Sequence, residues 1–220
     1  MPDLLVLKFG GTALGTPARL RRAARRITAH RAGGVDVLAV VSASGPTTDR
    51  ILRTLTRITG ALPPAPDRET DRALSTGEEL SAALIAAGLR ALGHPARSFS
   101  GGEAGLRAEG PFGGATLVHF DAAPLRRCLR DGIIPVVAGF QAVGADREVR
   151  TLGRGASDLT AVYLATRLAA RECHIVTDVD GVYDTDPRRT TAAKRHVELS
   201  HAALLALAED GAEIVHAGAA

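Results

Sequence analysis

Aromatic side chains are nearly missing from this chain: Phe, Tyr and Trp make up 3% of its 220 residues, and Trp is absent. Proteins that hold single-stranded nucleic acid stack bases on such rings, so that class has little support and no nucleic-acid partner is expected. No apolar run reaches 18 residues, so no membrane span is expected. The amino terminus, MPDLLVLKFGG, has no charged segment ahead of its short apolar run, unlike a secretory signal. The only cysteines, Cys128 and Cys173, lack metal-ligand spacing and sit in apolar surroundings. They read as buried thiols in a reducing compartment, which makes the cytoplasm the expected location. Lysine is scarce too. Of 27 Lys and Arg residues, only Lys8 and Lys194 are lysine. A lysine kept in so arginine-rich a chain marks a place where a compact charge is needed and a planar fork does not fit.

What is present is ordinary for a globular fold: 45% hydrophobic residues, 23% charged and a net charge of +3. The densest basic cluster, Arg19 to Arg31, falls on a helix pattern and reads as a solvated face. A chain of this length buries roughly 70% of its extended-chain surface and needs no metal or disulfide to fold. No internal repeat or interdomain linker stands out, so residues 1–220 are read as one domain. Strands are expected at Leu4–Phe9, Val35–Val41, Arg97–Phe99, Thr116–Phe120, Ile133–Ala138 and His174–Thr177. Several are continuous apolar runs, as in strands covered on both faces. Helices are expected near 17–32, 49–60, 78–92, 121–131, 157–170 and 200–210. In the third of these, Leu80, Leu84, Ala87 and Ala91 recur at helical spacing. Gly60–Asp67 reads as a loop, and the glycine-rich stretch Gly101–Gly114 as a mobile one. The alternation predicts a mostly parallel sheet with helices on both faces. In such folds ligands gather at the carboxyl ends of the strands.

Five segments there carry candidate chemistry. Lys8-Phe9-Gly10-Gly11-Thr12 matches no standard nucleotide fingerprint. It is either a tight turn with an exposed lysine or a loop that offers amides and one fixed charge to a phosphate. Ser42 to Asp49 (SASGPTTD) holds hydroxyls that either meet a polar substrate or cap the next helix at Thr48 or Asp49. Ser75 and Glu78 fit a capping box, while Glu78 could equally be a buried carboxylate for a substrate ammonium. Thr151 to Asp158 (TLGRGASD) offers Arg154 to grip a carboxylate and Asp158 either to cap a helix or to orient two basic groups. Thr177 to Arg188 (TDVDGVYDTDPR) holds four carboxylates, Tyr183 and Arg188, without the spacing or closing Glu of a calcium loop. It reads as a purine- and phosphate-contacting segment or as an acidic solvated loop.

Taken in order, KFGGT, VSASGPTTDR, STGEELSAALIAAGL, VVAGFQ, TLGRGASDLTA and TDVDGVYDTDPR resemble the catalytic domain of aspartate kinases, in the amino acid kinase family. The resemblance spans residue 4 to about 216. It implies a three-layer α/β/α sandwich with a mostly parallel central sheet. It also implies ATP as phosphoryl donor, Mg2+ bridging the nucleotide phosphates, and the side-chain carboxylate of L-aspartate or a similar amino acid as acceptor. By resemblance Lys8 neutralises the transferring phosphoryl, and Gly10 and Gly11 lie at the phosphates. Ser42 and Thr48 contact substrate, Glu78 takes its ammonium, and Arg154 and Ser157 grip its α-carboxylate. Asp158 organises the basic groups, and Thr177, Asp178, Tyr183 and Arg188 contact the nucleotide.

Three departures temper the resemblance. Where the family reads Gly-Ala-Lys, this chain has Gly211-Ala212-Glu213. A carboxylate about 6 Å from one phosphate charge costs roughly 3 kcal/mol at an effective dielectric of 20. Glu213 thus motivates an alternative, a degenerate member that binds nucleotide or a partner chain with little catalysis. The family's HPR is His216-Ala217-Gly218 here. The expectation is a fold without the closing C-terminal elements, whose sheet edge is completed by a homodimer partner or another chain. ACT modules are not expected, and with them feedback regulation through this chain. Ala13, usually Ser in the family, is a milder change.

Overall fold

The structure is a computed structural model that describes residues 3–62, 64–153, 155–177, 181–183, 190, 192–200 and 202–203. Its centre is a five-stranded parallel sheet in the order β3-β6-β2-β1-β9. These strands are β1 (Leu4–Phe9), β2 (Asp36–Val41), β3 (Ala96–Phe99), β6 (Ile134–Ala138) and β9 (Glu172–Val176). A smaller mixed sheet runs β5-β4-β7-β8, with β4 (Leu106–Glu109), β5 (Thr116–Phe120), β7 (Gln141–Val143) and β8 (Val149–Thr151). The helices are α1 (Gly11–Leu14), α2 (Pro17–Ala32), α3 (Thr47–Thr59), α4 (Arg68–Ala91), α5 (Ala123–Arg130) and α6 (Ala156–Leu168). The short strands β10 (Val182–Tyr183) and β11 (Arg195–His196) pair antiparallel.

Period-two alternation in the central strands decides which helix layer each side chain meets. Leu5, Leu7 and Phe9 of β1, with Val37, Ala39 and Val41 of β2, pack on Ala23, Ala24 and Ile27 of α2 and on Ala82, Ile85, Ala86 and Leu89 of α4. Leu4, Val6, Leu38 and Val40 face the other way, onto Leu125 of α5 and Ala161, Leu164 and Leu168 of α6. The arginines at positions 19, 21, 22, 25 and 26 of α2 are solvent-exposed, as the basic cluster suggested.

Several expectations need correction. The third helix starts ten residues earlier than read, at Arg68, because Asp67 caps it by accepting from Thr70 N at 2.8 Å. Ser75 and Glu78 therefore lie inside α4 and form no capping box. The Ser75 hydroxyl donates to Arg72 O instead. Gly77 is mid-helix because a Cβ there would press on Ala43 Cβ at 3.1 Å and Thr47 Cγ2 at 3.2 Å. At α3 the cap is Pro46, with no side-chain hydrogen bond, so neither Thr48 nor Asp49 caps it. The periodic stripe Leu80, Leu84, Ala87 and Ala91 is the exposed face of α4, and the core face is its opposite. Thr116–Phe120 is a strand, but of the smaller sheet. Of the helix expected near 200–210, only Ala202 and Ala203 lie among the described residues, and both are helical.

Gly101–Gly114 is not a mobile loop. It contains β4, and Ala104, Leu106 and Ala108 are core residues. Its glycines allow close backbone approach: a Cβ on Gly101 would run into the Gln141 carbonyl, and one on Gly102 into the Val143 side chain. Gly101→Ala is therefore expected to lower stability by about 1–3 kcal/mol, read as a shift in urea midpoint. A midpoint equal to the parent's would contradict this packing.

Candidate functional site

The even-numbered face of β1 carries Leu4, Val6 and then Lys8, so the lysine points toward the layer that holds α6. Lys8 Nζ meets Asp158 Oδ1 of α6 at 2.6 Å, with both side chains about a tenth exposed. The contact rests on charge more than alignment, since that oxygen meets no donor at good hydrogen-bond angle. An ammonium held this way keeps N–H directions for another anion.

Glu78 reaches the same region from α4, on the opposite side of the sheet. Its Oε1 accepts from Ser157 Oγ at 2.9 Å and from Ala43 N, at the end of β2, at 3.4 Å. Its Oε2 is buried and has no hydrogen-bond partner. Burial raises the Glu78 carboxyl to about 8, against the lowering effects of Ser157, Ala43 N and the Lys8 charge. The free site therefore holds a largely neutral Glu78 at pH 7, ready to ionise when a cation arrives.

The walls are made of close approaches. Gly10 N donates to Val176 O, tying the turn after β1 to β9. A Cβ on Gly11 would lie 2.6 Å from Ala43 O. Gly45 N donates to Gly11 O, and Ser44 Oγ to Leu14 O, which locks the β2–α3 loop onto α1. At the end of β6, a Cβ on Gly139 would lie 2.8 Å from Ser157 Cβ, so glycine there lets α6 seat against the sheet.

Lys8, Gly10, Gly11, Ser42, Glu78, Ser157 and Asp158 thus converge on the carboxyl ends of β1, β2 and β6. Ser42 follows β2 directly, its N–H on Phe9 O, and Thr48 is half-buried in the first turn of α3. Thr177 is exposed just past β9, and Tyr183 lies in β10, paired with Arg195. Arg154, Asp178, Arg188 and Glu213 lie outside the described residues. Three contributors gave no signal in the sequence. The Ala43 amide acts through its backbone, Gly139 through a missing side chain, and Asp71 as a buried carboxylate in what read as a loop.

Neither cysteine suits nucleophilic chemistry, since burial pushes both thiols up to about 11. Among the described residues no three His, Cys, Asp or Glu side chains group as a metal site, and no helix is long and apolar enough to cross a membrane.

The raised Glu78 carboxyl has a consequence for stability. A folded-state value above the unfolded one stabilises most fully below about pH 4.5, and that contribution is lost as pH rises through about 8. Glu78→Gln cannot ionise. Its urea midpoint should gain on the parent's between pH 5 and pH 8.5, and a constant difference would mean that Glu78 titrates as an ordinary carboxylate.

Comparison with known proteins agrees with this geometry. The sequence profile of the amino acid kinase family matches residues 3–220. The aspartokinase of Geobacillus stearothermophilus is 43% identical over 97% of this chain. The chain spans about half the length of that relative, 52%. The crystal structure of aspartate kinase from Synechocystis superposes with a TM-score of 0.84 at 38% identity, over 98% of this chain and 35% of that one. E. coli aspartokinase III, in complex with aspartate and ADP, superposes with a TM-score of 0.87 at 28% identity, over 99% of this chain and 58% of that one. The strand order, the lysine after β1 and a profile match reaching from residue 3 to residue 220 lead to one assignment: the chain belongs to the amino acid kinase family.

Proposed function

We propose that residues 1–220 form one catalytic domain that transfers the γ-phosphoryl of ATP to the side-chain carboxylate of L-aspartate or a closely similar amino acid, giving an acyl phosphate. The observation that carries this reading is a buried carboxylate with a free oxygen, Glu78, beside a buried lysine, Lys8, at the strand ends of one sheet. A carboxylate of that kind suits an ammonium, and a lysine of that kind suits a phosphoryl. The aspartokinase relatives and the aspartate and ADP named for the E. coli structure support the same pairing.

The chemistry asks little of a general base. The acceptor carboxylate is already ionised at neutral pH, so rate comes from positioning and from neutralising charge. In this reading Lys8 lies against the transferring phosphoryl, and Asp158 holds the lysine and keeps it protonated. Glu78 takes the acceptor ammonium, with Ser157 and Arg154 on its α-carboxylate and Ser42 and Thr48 alongside. Gly10, Gly11, Thr177, Asp178, Tyr183 and Arg188 receive the nucleotide. The turn after β1 suits phosphates, since Gly10 and Gly11 put no side chain between the backbone and a ligand. Mg2+ would add charge neutralisation between the phosphates. With no three-ligand cluster among the described residues, it would be held mainly by the nucleotide oxygens. The cytoplasm is the proposed location.

An ATP-dependent hydroxamate assay with aspartate tests the reading. Turnover is expected, falling by roughly 100- to 1,000-fold in Lys8→Ala and Asp158→Ala. Nucleotide binding without turnover across an amino acid panel would favour the degenerate alternative that Glu213 motivates.

For a partner, the reading is a second copy of this chain at the β3 edge. Leu80 and Leu84 of α4 are 56% and 43% exposed beside that edge strand, and α4 is apolar on both faces. Replacing both leucines with Asp should turn a dimer into a monomer in sedimentation. A parent that already sediments as a monomer contradicts it.

A further inference from the structure

Asp71 is fully buried on α4, seven residues before Glu78. Its Oδ2 accepts from Thr151 N at 2.7 Å and from Gly113 N at 3.0 Å, and its Oδ1 accepts from Thr151 Oγ1 at 2.7 Å. Those three donors meet both carboxylate oxygens, and the site described above uses none of them. Nearby, Gln141 Nε2 of β7 donates to Ser75 O at 3.1 Å, a second tie between α4 and the β7–β8 hairpin.

The spacing gives the contact its meaning. Asp71 and Glu78 are two helical turns apart on one face, about 10 Å along the axis. Their partners, Thr151 and Ser157, are six residues apart across the β8–α6 turn. α4 therefore grips the same outgoing segment twice, first at Thr151 and then at Ser157. The first grip decides where the chain leaves β8, and so where α6 delivers Ser157 to Glu78 and Asp158 to Lys8.

We propose that Asp71 is a positioning residue for the acceptor side of the site, acting through Thr151 on the Ser157–Glu78 contact. The inference rests on the reading of Glu78 and Ser157 as the acceptor subsite. It touches no proposed nucleotide contact, because Gly10, Gly11, Thr177 and Tyr183 hang on β1, β9 and β10. The effect should therefore divide between the two substrates.

Two substitutions separate this role from plain stability. Thr151→Val keeps a β-branched shape but removes the hydroxyl and strands Asp71 Oδ1. Asp71→Asn is the conservative counterpart. Its oxygen can take both N–H donors at the Oδ2 position, and its amide can donate to the Thr151 hydroxyl, which becomes an acceptor. Steady-state kinetics with each substrate varied in turn should show the aspartate KM of Thr151→Val raised about tenfold, the size expected for losing one charge-assisted hydrogen bond that sets geometry. The ATP KM should stay within about twofold of the parent, and Asp71→Asn should keep the aspartate KM within about threefold. The Glu78 carboxyl titration, followed by carbon NMR, supplies a readout that needs no turnover. It should move upward in Thr151→Val, where Ser157 donates less well, and stay in place in Asp71→Asn. A parent with no aspartate turnover defeats the proposed function, while the titration still decides on Asp71. An unchanged Glu78 titration and aspartate KM in Thr151→Val, with only a lower melting temperature, overturns the inference. So does an Asp71→Asn as impaired as Thr151→Val.

Discussion

The ion pair between Lys8 and Asp158 sets the terms for everything around it. Both groups are about a tenth exposed, and removing one would leave the other charged and poorly solvated, a loss of about 3–5 kcal/mol in comparable pairs. The pair exists because a central parallel strand turns alternate side chains to opposite helix layers. Shifting β1 by one residue would put Phe9 against α6 and the ammonium into the layer of Leu7, Ile27 and Ile85. The register that buries the core is thus the same register that aims the charge.

Around that pair the protein has spent glycine where other chains would spend side chains. Gly11, Gly77 and Gly139 each sit where a Cβ would meet a neighbour at about 3 Å or less. Together they draw the β1 turn, α4 and α6 onto one point. The crowding also desolvates Glu78, which lifts its carboxyl toward neutrality and leaves one oxygen unbonded. Such a group is poised for a cation, because the arriving charge supplies what burial took away. The helix that carries Glu78 does other work along its length. Asp67 begins it, Asp71 and Ser75 tie it to the smaller sheet, and Ile85 and Leu89 anchor it to the larger one.

How much of this was legible in the residues varies by element. β1, β5 and α2 have the predicted bounds, since β-branched runs and a Thr-Pro helix start are local signals. The start of α4 was hidden because Ser75, Gly77 and Glu78 mimic a helix boundary, whereas the true cap follows a proline-rich loop. β4, β7 and β8 were missed as strands of three or four residues. Their pairing comes from backbone contacts between Gly101 and Gln141 and across Asp71, which no local pattern announces. In the site, Lys8, Glu78, Ser157 and Asp158 were legible as residue types at strand ends and in motifs. Their distances were not.

The sequence by itself determined the α/β class, the main strands and the chemical repertoire: one lysine after the first strand, glycines beside it, and carboxylates at two later turns. Those are properties of neighbours along the chain, where periodicity and turn chemistry act. Only the tertiary structure decided which of those groups meet. The contacts of Lys8 with Asp158, Glu78 with Ser157 and Asp71 with Thr151 join residues 79 to 150 positions apart. Such meetings depend on sheet order and helix packing, and a buried charge takes its properties from whatever those bring beside it.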